Sequence, residues 1–364
     1  MHESLLEEAR REIDRVDTEM ARLFEARMAA AQKVAAYKKS TGMPIFDSTR
    51  EAAIIARGAE RIQNETVRSY YVNFLHSVMD LSKAYQSRLI SGMNVAFSGV
   101  PGAFAHLAAL RIFPDATPIG YSNFSEAYKA VEDGRCDAAV LPLENSVGGD
   151  VGTVMDLAFF GSLVINGIYD IEVEQNLLAK PGVSLSDIKT VTSHPQALSQ
   201  CSEFIRKTGL CTREAENTAV AAKAVAEGDD RTVAAIGSEA AAEEYGLQIL
   251  RRRIQDKGQN TTRFAVFSRT RKTVGEQDQQ FVMTFTVKNE AGALAKAVSI
   301  IGSHGFNLRT LKSRPTKQLS WEYYFFCEGF GRLDSPEGQK MLAELQEDCS
   351  DLRLLGSFAK ESSL

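Results

Sequence analysis

Near the start of the chain, three basic side chains share a stripe with apolar ones. Steps of three or four from Arg10 meet Ile13, Asp17, Met20, Phe24, Arg27, Ala31, Val34 and Lys38, the period of one helix face. A single cation of this kind can snorkel from a core edge to water. Three on one stripe, followed by Asp47, Arg50 and Glu51 at the start of the next helix, point to an anionic ligand, because buried cations need partners. Guanidinium forks match carboxylates, so the implied ligand is a small dicarboxylate. Arg10 and Arg27 stand ~25 Å apart along a helix and cannot touch one small molecule, whereas Arg27 and Lys38, ~16 Å apart, can clasp its ends. Arg10 then serves the site only from a second, antiparallel copy, which predicts a homodimer with intertwined N-terminal helices.

A second set of polar groups sits in turns at predicted strand ends, where open α/β sheets bind ligands. These turns are Gly99-Val100-Pro101-Gly102-Ala103-Phe104-Ala105-His106, Pro142-Leu143-Glu144-Asn145-Ser146, Ser193-His194-Pro195-Gln196, Gly237-Ser238-Glu239 and Asn260-Thr261-Thr262-Arg263-Phe264. The first is not a dinucleotide loop, because its Gly-x-x-Gly spacing and internal proline do not fit one. The chain carries no phosphate loop, HExxH pair or GxSxG elbow, which disfavours nucleotide- and metal-dependent chemistry. His106 and His194 read as braces of their turns. Glu144 and Asn145 read either as cleft-lining residues or as braces of their turn, and Ser193, Gln196 and Ser238 as pocket-lining residues rather than catalysts.

The elements that must position these groups fall into three stretches. The first ~90 residues are helical: one helix over roughly 4–40, a stop at Thr41-Gly42-Met43-Pro44, a second helix capped by Asp47, and a third over roughly 65–90. From Ser91-Gly92-Met93, β-rich runs at 94–99, 136–143, 163–169, 190–194, 232–237 and 263–268 alternate with helical ones. That grammar predicts a two-lobed α/β domain with largely parallel sheet. After the polar linker 271–278, the order strand, helix, strand, strand, helix, strand predicts a ferredoxin-like α+β domain. The expected boundaries are 1–91, 93–270 and 279–364.

The 364 residues are 44% hydrophobic and 24% charged, ordinary for a globular chain with a real core. The net charge of −5 disfavours a nucleic-acid partner, and no apolar run is long enough to span a membrane. Five scattered cysteines (Cys136, Cys201, Cys211, Cys327, Cys349) form no paired spacing, against a disulfide scaffold or zinc site and for a reducing, cytoplasmic setting.

Arg10, Arg27, Lys38, Asp47, Arg50, Glu51, Ser82 and Gln86 fall in the order and spacing of the all-helical chorismate mutases that begin bacterial P-proteins. The resemblance implies a rearrangement of chorismate to prephenate without covalent catalysis or a cofactor. Arg27 and the partner copy's Arg10 would grip the two carboxylates, and Ser82 would contact one. Lys38 and Gln86 would donate to the ether oxygen, Glu51 would accept from the ring hydroxyl, and Asp47 and Arg50 would shape the pocket. The segments SHPQAL, GSEAA and NTTRF resemble prephenate dehydratases, which form phenylpyruvate, water and carbon dioxide. That resemblance makes Thr262 the hydroxyl donor, Arg263 a carboxylate anchor and Phe264 a neighbour of the substrate. The chain departs from the usual Gly-Pro-x-Gly first loop at Gly99-Val100-Pro101-Gly102, which bears on loop rigidity.

The third stretch resembles the ACT domains that close P-proteins and bind phenylalanine at a dimer interface. Gly292, Ala293 and Leu294 carry one half of that motif, and Ser313 and Arg314 the other. Where the family has glutamate before this serine, the chain has Lys312; a lysine facing the ligand's ammonium would repel it, and one facing outward would not. The resemblance as a whole implies a bifunctional chorismate mutase–prephenate dehydratase, a homodimer or dimer of dimers, with phenylalanine as effector. Its alternatives are an arogenate-preferring dehydratase and a mutase fused to a non-catalytic anion sensor.

Overall fold

A computed structural model describes residues 2–256, 260–273, 275, 277–316 and 322–359, with side chains from Leu5 onward. It divides into two compact units, Met1–Met93 and Asn94–Leu364. Among the described residues no helix is long and apolar enough to cross a membrane.

The first unit is three helices, α1 (His2–Thr41), α2 (Ser48–Glu60) and α3 (Glu65–Ser91). Gly42 follows α1 with φ +69°, the left-handed conformation that glycine adopts without a Cβ penalty. The Asp47 carboxylate caps α2 by accepting from the Arg50 N–H at 2.9 Å, and Asn64 caps α3 in the same way. Gly58 is buried where α2 meets Tyr71 and Leu75 of α3, and a Cβ there would strike the Leu75 side chain. Among the described side chains of α1, only Ala31 and Ala35 are buried, while Ile13 is 57% and Leu23 58% exposed. An apolar stripe therefore runs along α1 that α2 and α3 do not cover.

The second unit begins with a lobe of β1 (Asn94–Ser98), α4 (Phe104–Ile112), β2 (Thr117–Tyr121), α5 (Phe124–Glu132), β3 (Ala138–Asn145), β4 (Gly149–Asp150), α6 (Gly152–Phe160) and β5 (Val164–Glu172). The chain then builds a second lobe from β6 (Asn176–Ala179), β7 (Thr190–Ser193), α7 (Pro195–Gln200), α8 (Ser202–Thr208), β8 (Cys211–Glu214), α9 (Thr218–Glu227), β9 (Val233–Gly237), α10 (Glu239–Glu244) and β10 (Gln248–Arg251). It returns to the first lobe as β11 (Thr261–Ser268). The first sheet has the order β2-β1-β3-β11-β5 with β4 beside β3, and the second the order β10-β6-β9-β7-β8.

Both sheets are mixed, where the sequence suggested largely parallel pairing. β1 pairs in parallel with β2 and β3, but β11 runs antiparallel to both β3 and β5. The second lobe is an insertion, so β11 comes back against its neighbours. The two crossings between lobes lie side by side: Val173 N–H donates to Asn260 O at 2.7 Å and Ile254 N–H to Gln175 O at 2.9 Å.

The chain ends with β12 (Gln280–Val287), α11 (Ala293–Ser303), β13 (Asn307–Pro315), β14 (Tyr323–Phe330), α12 (Pro336–Asp348) and β15 (Cys349–Phe358). Their sheet has the order β13-β14-β12-β15. Alternation sorts its two faces. Phe281, Met283, Phe325 and Cys327 form a core with α11 and α12. Val282, Tyr324, Phe326 and Phe358 join the core of the first lobe, with Leu141, Ile165 and Phe267. The middle and final stretches thus share one continuous apolar core.

Candidate active sites

In the helical unit, α1 and α3 bring Arg27 to Ser82. One guanidinium nitrogen donates to Val78 O at 3.2 Å and to the Ser82 hydroxyl. Burial pulls the Arg27 pKa below its ordinary value. One turn on, Gln86 is 8% exposed, and its buried Oε1 has no hydrogen-bond partner among the described residues. An orphaned buried amide oxygen is unusual in a folded protein; here it marks a polar surface aimed at whatever enters. Lys38 Nζ donates to Ile45 O at 2.6 Å, which ties the end of α1 to the turn before α2. Arg10 and Arg50 are exposed, and Asp47 is occupied as the α2 cap.

Glu51 has a partner that the sequence did not disclose. Lys83 Nζ lies 2.9 Å from Glu51 Oε1 and 3.0 Å from Asp80 Oδ1, and 5.3 Å from the centre of the Phe46 ring. Burial opposes its charge, but the two carboxylates more than offset this and raise the Lys83 pKa. Its place beside Ser82, inside the α3 segment that carries Gln86, was the available signal.

In the second unit, the polar turns converge between the lobes. Asn145 at the end of β3 and Thr262 at the start of β11 are paired residues of the ladder. Asn145 Nδ2 donates to Thr262 Oγ1 at 2.8 Å and to Asn260 Oδ1 at 2.8 Å. Since Thr262 Oγ1 accepts this bond, its own proton is left to donate elsewhere. Asn145 Oδ1 accepts from Gly148 N–H at 2.7 Å and from Gln196 Nε2 at 3.4 Å, so it also reaches across to the second lobe. Asn260 Nδ2 continues the chain of amides to Gln200 Oε1 at 3.0 Å. A cavity of about 220 Å³, lined by Val147, Ser199, Gln200, Gln255, Asp256 and Asn260, adjoins this group. Phe264, 2% exposed, is buried within β11.

Other expected cleft residues have internal work. The Ser193 hydroxyl donates to Ile236 O at 2.7 Å, and His194 caps α7 by accepting from Gln196 N–H. The Ser238 hydroxyl donates to Gly102 O at 2.7 Å, which ties the first glycine loop to the start of α10. Gly102 has φ +82°, and a Cβ there would sit 2.8 Å from the Ala241 backbone, so this approach of the lobes requires glycine.

His106 braces the same loop by accepting from Gly102 N–H at Nδ1, 3.1 Å away, a bond only an unprotonated Nδ1 can accept. Burial holds its pKa below the ordinary value, with Glu244 opposing more weakly. The unfolded chain therefore takes up this proton first as pH falls. The stabilisation is complete above about pH 6.5 and lost as pH drops through the folded pKa. Urea midpoints measured at pH 7.5 and 5.5 should fall more for the wild type than for His106→Gln.

Arg263 turns away from Thr262, as neighbours on a strand must. Its Nη1 and Nη2 donate to Glu328 of β14 at 2.9 and 2.7 Å, while Nε lies 3.4 Å from Asp170. Burial works against the Arg263 charge, but Glu328, Asp170 and Glu144 more than compensate and raise its pKa. Lys312 settles beside it. Its Nζ is 2.8 Å from Glu144 Oε2 and also bonds Asp150, so it faces the first lobe. Arg314 makes a fork to Asp156 at 2.8 and 3.1 Å, and a Cβ at Gly152 would collide with that guanidinium. Ser313 is exposed on the edge strand β13. Gly292 caps α11 with φ +86°, so that Ala293 and Leu294 open the helix.

Family comparisons agree with this layout. The model "Chorismate mutase type II" matches residues 9–87 and the model "Prephenate dehydratase" residues 95–272, which defines a mutase-type helical region ahead of a dehydratase-type α/β region. The bifunctional chorismate mutase/prephenate dehydratase of Aquifex aeolicus is 33% identical over 362 residues, 98% of either chain. The chain belongs to this family of bifunctional chorismate mutase/prephenate dehydratases. The prephenate dehydratase of Arthrobacter aurescens, solved in complex with L-Phe, aligns with TM-score 0.69 at 31% identity, covering 74% of this chain and 90% of that one. A protein described as a novel type of quorum-quenching acylase also aligns with TM-score 0.69, at 32% identity over 74% of this chain and 98% of its own.

Proposed function

We propose that the chain converts chorismate to prephenate in its helical region and prephenate to phenylpyruvate, water and carbon dioxide in its two-lobed region. The regions are assigned as 1–91, 93–270 and 279–364, the last as a ferredoxin-like ACT domain. The observation that carries the dehydratase reading is the 2.8 Å bond from Asn145 to Thr262, which orients a hydroxyl with a free proton next to Asn260, a residue of the cavity wall.

The rearrangement breaks the ether C–O bond as a new C–C bond forms, with no nucleophile and no net proton transfer. What a protein supplies is a compressed conformer and fixed charge where the oxygen becomes negative. Arg27 and Ser82 hold one carboxylate. Arg10 of a second copy takes the other, because its position on α1 is too distant within one chain. Lys38 and Gln86 donate toward the ether oxygen, Gln86 through its Nε2, while its Oε1, with no partner among the described residues, remains free to accept from a ligand. Glu51, its charge balanced by Lys83, accepts from the ring hydroxyl, while Asp47 and Arg50 fix the rim.

In the dehydration, the ring hydroxyl leaves as water after receiving a proton. The ring carboxylate leaves as carbon dioxide, and its bonding pair completes the aromatic ring. Thr262 donates along a relay rather than as a free acid. Asn145 and Gln196 orient the substrate, Ser193 supports the wall of the second lobe and Phe264 supports the strand. Arg263, with its fork committed to Glu328, serves through the strand it anchors. No cofactor is called for.

The uncovered stripe of α1 supports a homodimer, since exposed apolar surface on this scale calls for a partner. L-phenylalanine is the proposed effector, taken up by Gly292, Ala293, Leu294 and Ser313 in a cytoplasmic enzyme, with Arg314, its fork committed to Asp156, serving through the strand it anchors. Purified protein given chorismate alone should yield prephenate and then phenylpyruvate, with phenylalanine slowing the second step. Failure to consume chorismate would overturn the mutase assignment, and prephenate without phenylpyruvate the dehydratase one. Arogenate supplied in place of prephenate separates the two dehydratase substrates.

A further inference from the structure

The paired strands β3 and β11 present Asn145 and Thr262 on one face and, one residue along each strand, Glu144 and Arg263 on the other. Both members of the rear pair are held by the final sheet. Glu328, with a side chain only 1% exposed, closes a two-point fork on Arg263 at 2.7 and 2.9 Å. Lys312 holds Glu144 at 2.8 Å, and Arg263 stands 3.8 Å from Glu144. The four charges alternate in sign across the joint. Glu328 and Lys312 lie on adjacent strands and share the face with Tyr324 and Phe326 that packs on the first lobe.

From this geometry we infer that Glu328 and Lys312 are positioning residues of the dehydratase centre. They act on Thr262 and Asn145 through the backbones of Arg263 and Glu144. The inference rests on the dehydratase reading proposed above. Arg263 cannot swing to a substrate carboxylate without leaving the buried Glu328 only the more distant Arg309, 3.8 Å away, in place of a two-point fork. A buried carboxylate that loses its close partner is costly. Its fork therefore fixes strand position. Displacement of a reacting group by about 1 Å costs on the order of 10²-fold in rate, so loosening this joint is read in kcat more than in KM.

The test uses the full chain with Glu328→Gln and Lys312→Met, the conservative Glu328→Asp, prephenate kinetics, and amide hydrogen exchange across 142–148 and 261–266. The expected result is a kcat for prephenate lowered about 10- to 100-fold in Glu328→Gln, with KM changed less than threefold. Exchange should be faster in those two segments and unaltered in β7 and β9, with partial recovery in Glu328→Asp. Should Glu328→Gln unfold the second unit, seen as fast exchange throughout it, the partly exposed Lys312→Met carries the same test. Wild-type turnover with both folded variants within twofold of it, and exchange unchanged, would overturn the inference. A wild type that does not turn over prephenate would instead overturn the dehydratase reading, and exchange at 261–266 would still decide whether Glu328 fixes the strand.

Discussion

Thr262→Val should cut phenylpyruvate formation about 10²- to 10⁴-fold while chorismate is still consumed. The substitution removes one hydroxyl and keeps a β-branched side chain in β11, where Thr262 is 9% exposed. The local loss is one of the acceptors of Asn145 Nδ2, which keeps Asn260 Oδ1 and Thr261 O, about 0.5–1.5 kcal/mol for one hydrogen bond, too little to unfold a unit of this size. The chemical loss is larger. General-acid assistance is worth roughly 10²–10⁴-fold, and kcat for prephenate should fall in that range with KM little changed. Thr262→Ser, which keeps the hydroxyl, should retain activity within about tenfold of wild type. Paired assays of prephenate production from chorismate and phenylpyruvate production from added prephenate check both halves. Undiminished dehydration in Thr262→Val would remove this residue as donor.

Arg27→Ala should produce the opposite pattern. Its guanidinium is partly buried between α1 and α3, bonded to Val78 O and Ser82, and depressed in pKa by that burial. A cation held at a desolvation cost is worth most when an anion arrives. Removing one such donor from a preorganised site costs about 10²–10³-fold, and losing a carboxylate grip adds to this, so chorismate kcat/KM should fall at least 10³-fold. Arg27→Lys keeps the charge but not the planar fork and should land between. Dehydration of added prephenate should stay within twofold, because Arg27 belongs to the other compact unit. Joint loss of both activities in a folded protein would mean that the two centres are not independent.

Much of this architecture is legible in the chain because local rules agree. The period of α1, the Asp47 cap and the Gly42 stop all point the same way, and the closing strand-helix-strand-strand-helix-strand order follows from alternation. β2, β6, β8 and β10 escaped although β7, no longer than they are, was read, because β7 carries the β-branched run Thr190-Val191-Thr192 and the others have no comparable run. The antiparallel entry of β11 escaped because strand direction is set by the path of the chain, which no local window contains. Of the polar groups, Asn145 and Thr262 come from separate motifs and meet directly. The partner of Arg263 could have been suspected from Glu328, a lone carboxylate in the apolar run Tyr323-Tyr324-Phe325-Phe326-Cys327-Glu328. Nothing local says that Lys312 would turn toward Glu144 and Asp150; that is decided by which face of the final sheet meets the first lobe.

The late return of β11 governs how the molecule can be made. This strand lies between β3 and β5, yet it is synthesised only after the whole second lobe. Until then β3 and β5 lack the neighbour they share, and each presents an open edge of the kind that invites mispairing. Closing so long a loop is slow relative to forming local contacts. A nascent chain released before residue 261 therefore has a complete helical unit but an unfinished first sheet, without the strand that bears Thr262. Prematurely ended chains should keep the first proposed activity and aggregate through the second unit, so the order of the elements makes truncation damage one-sided.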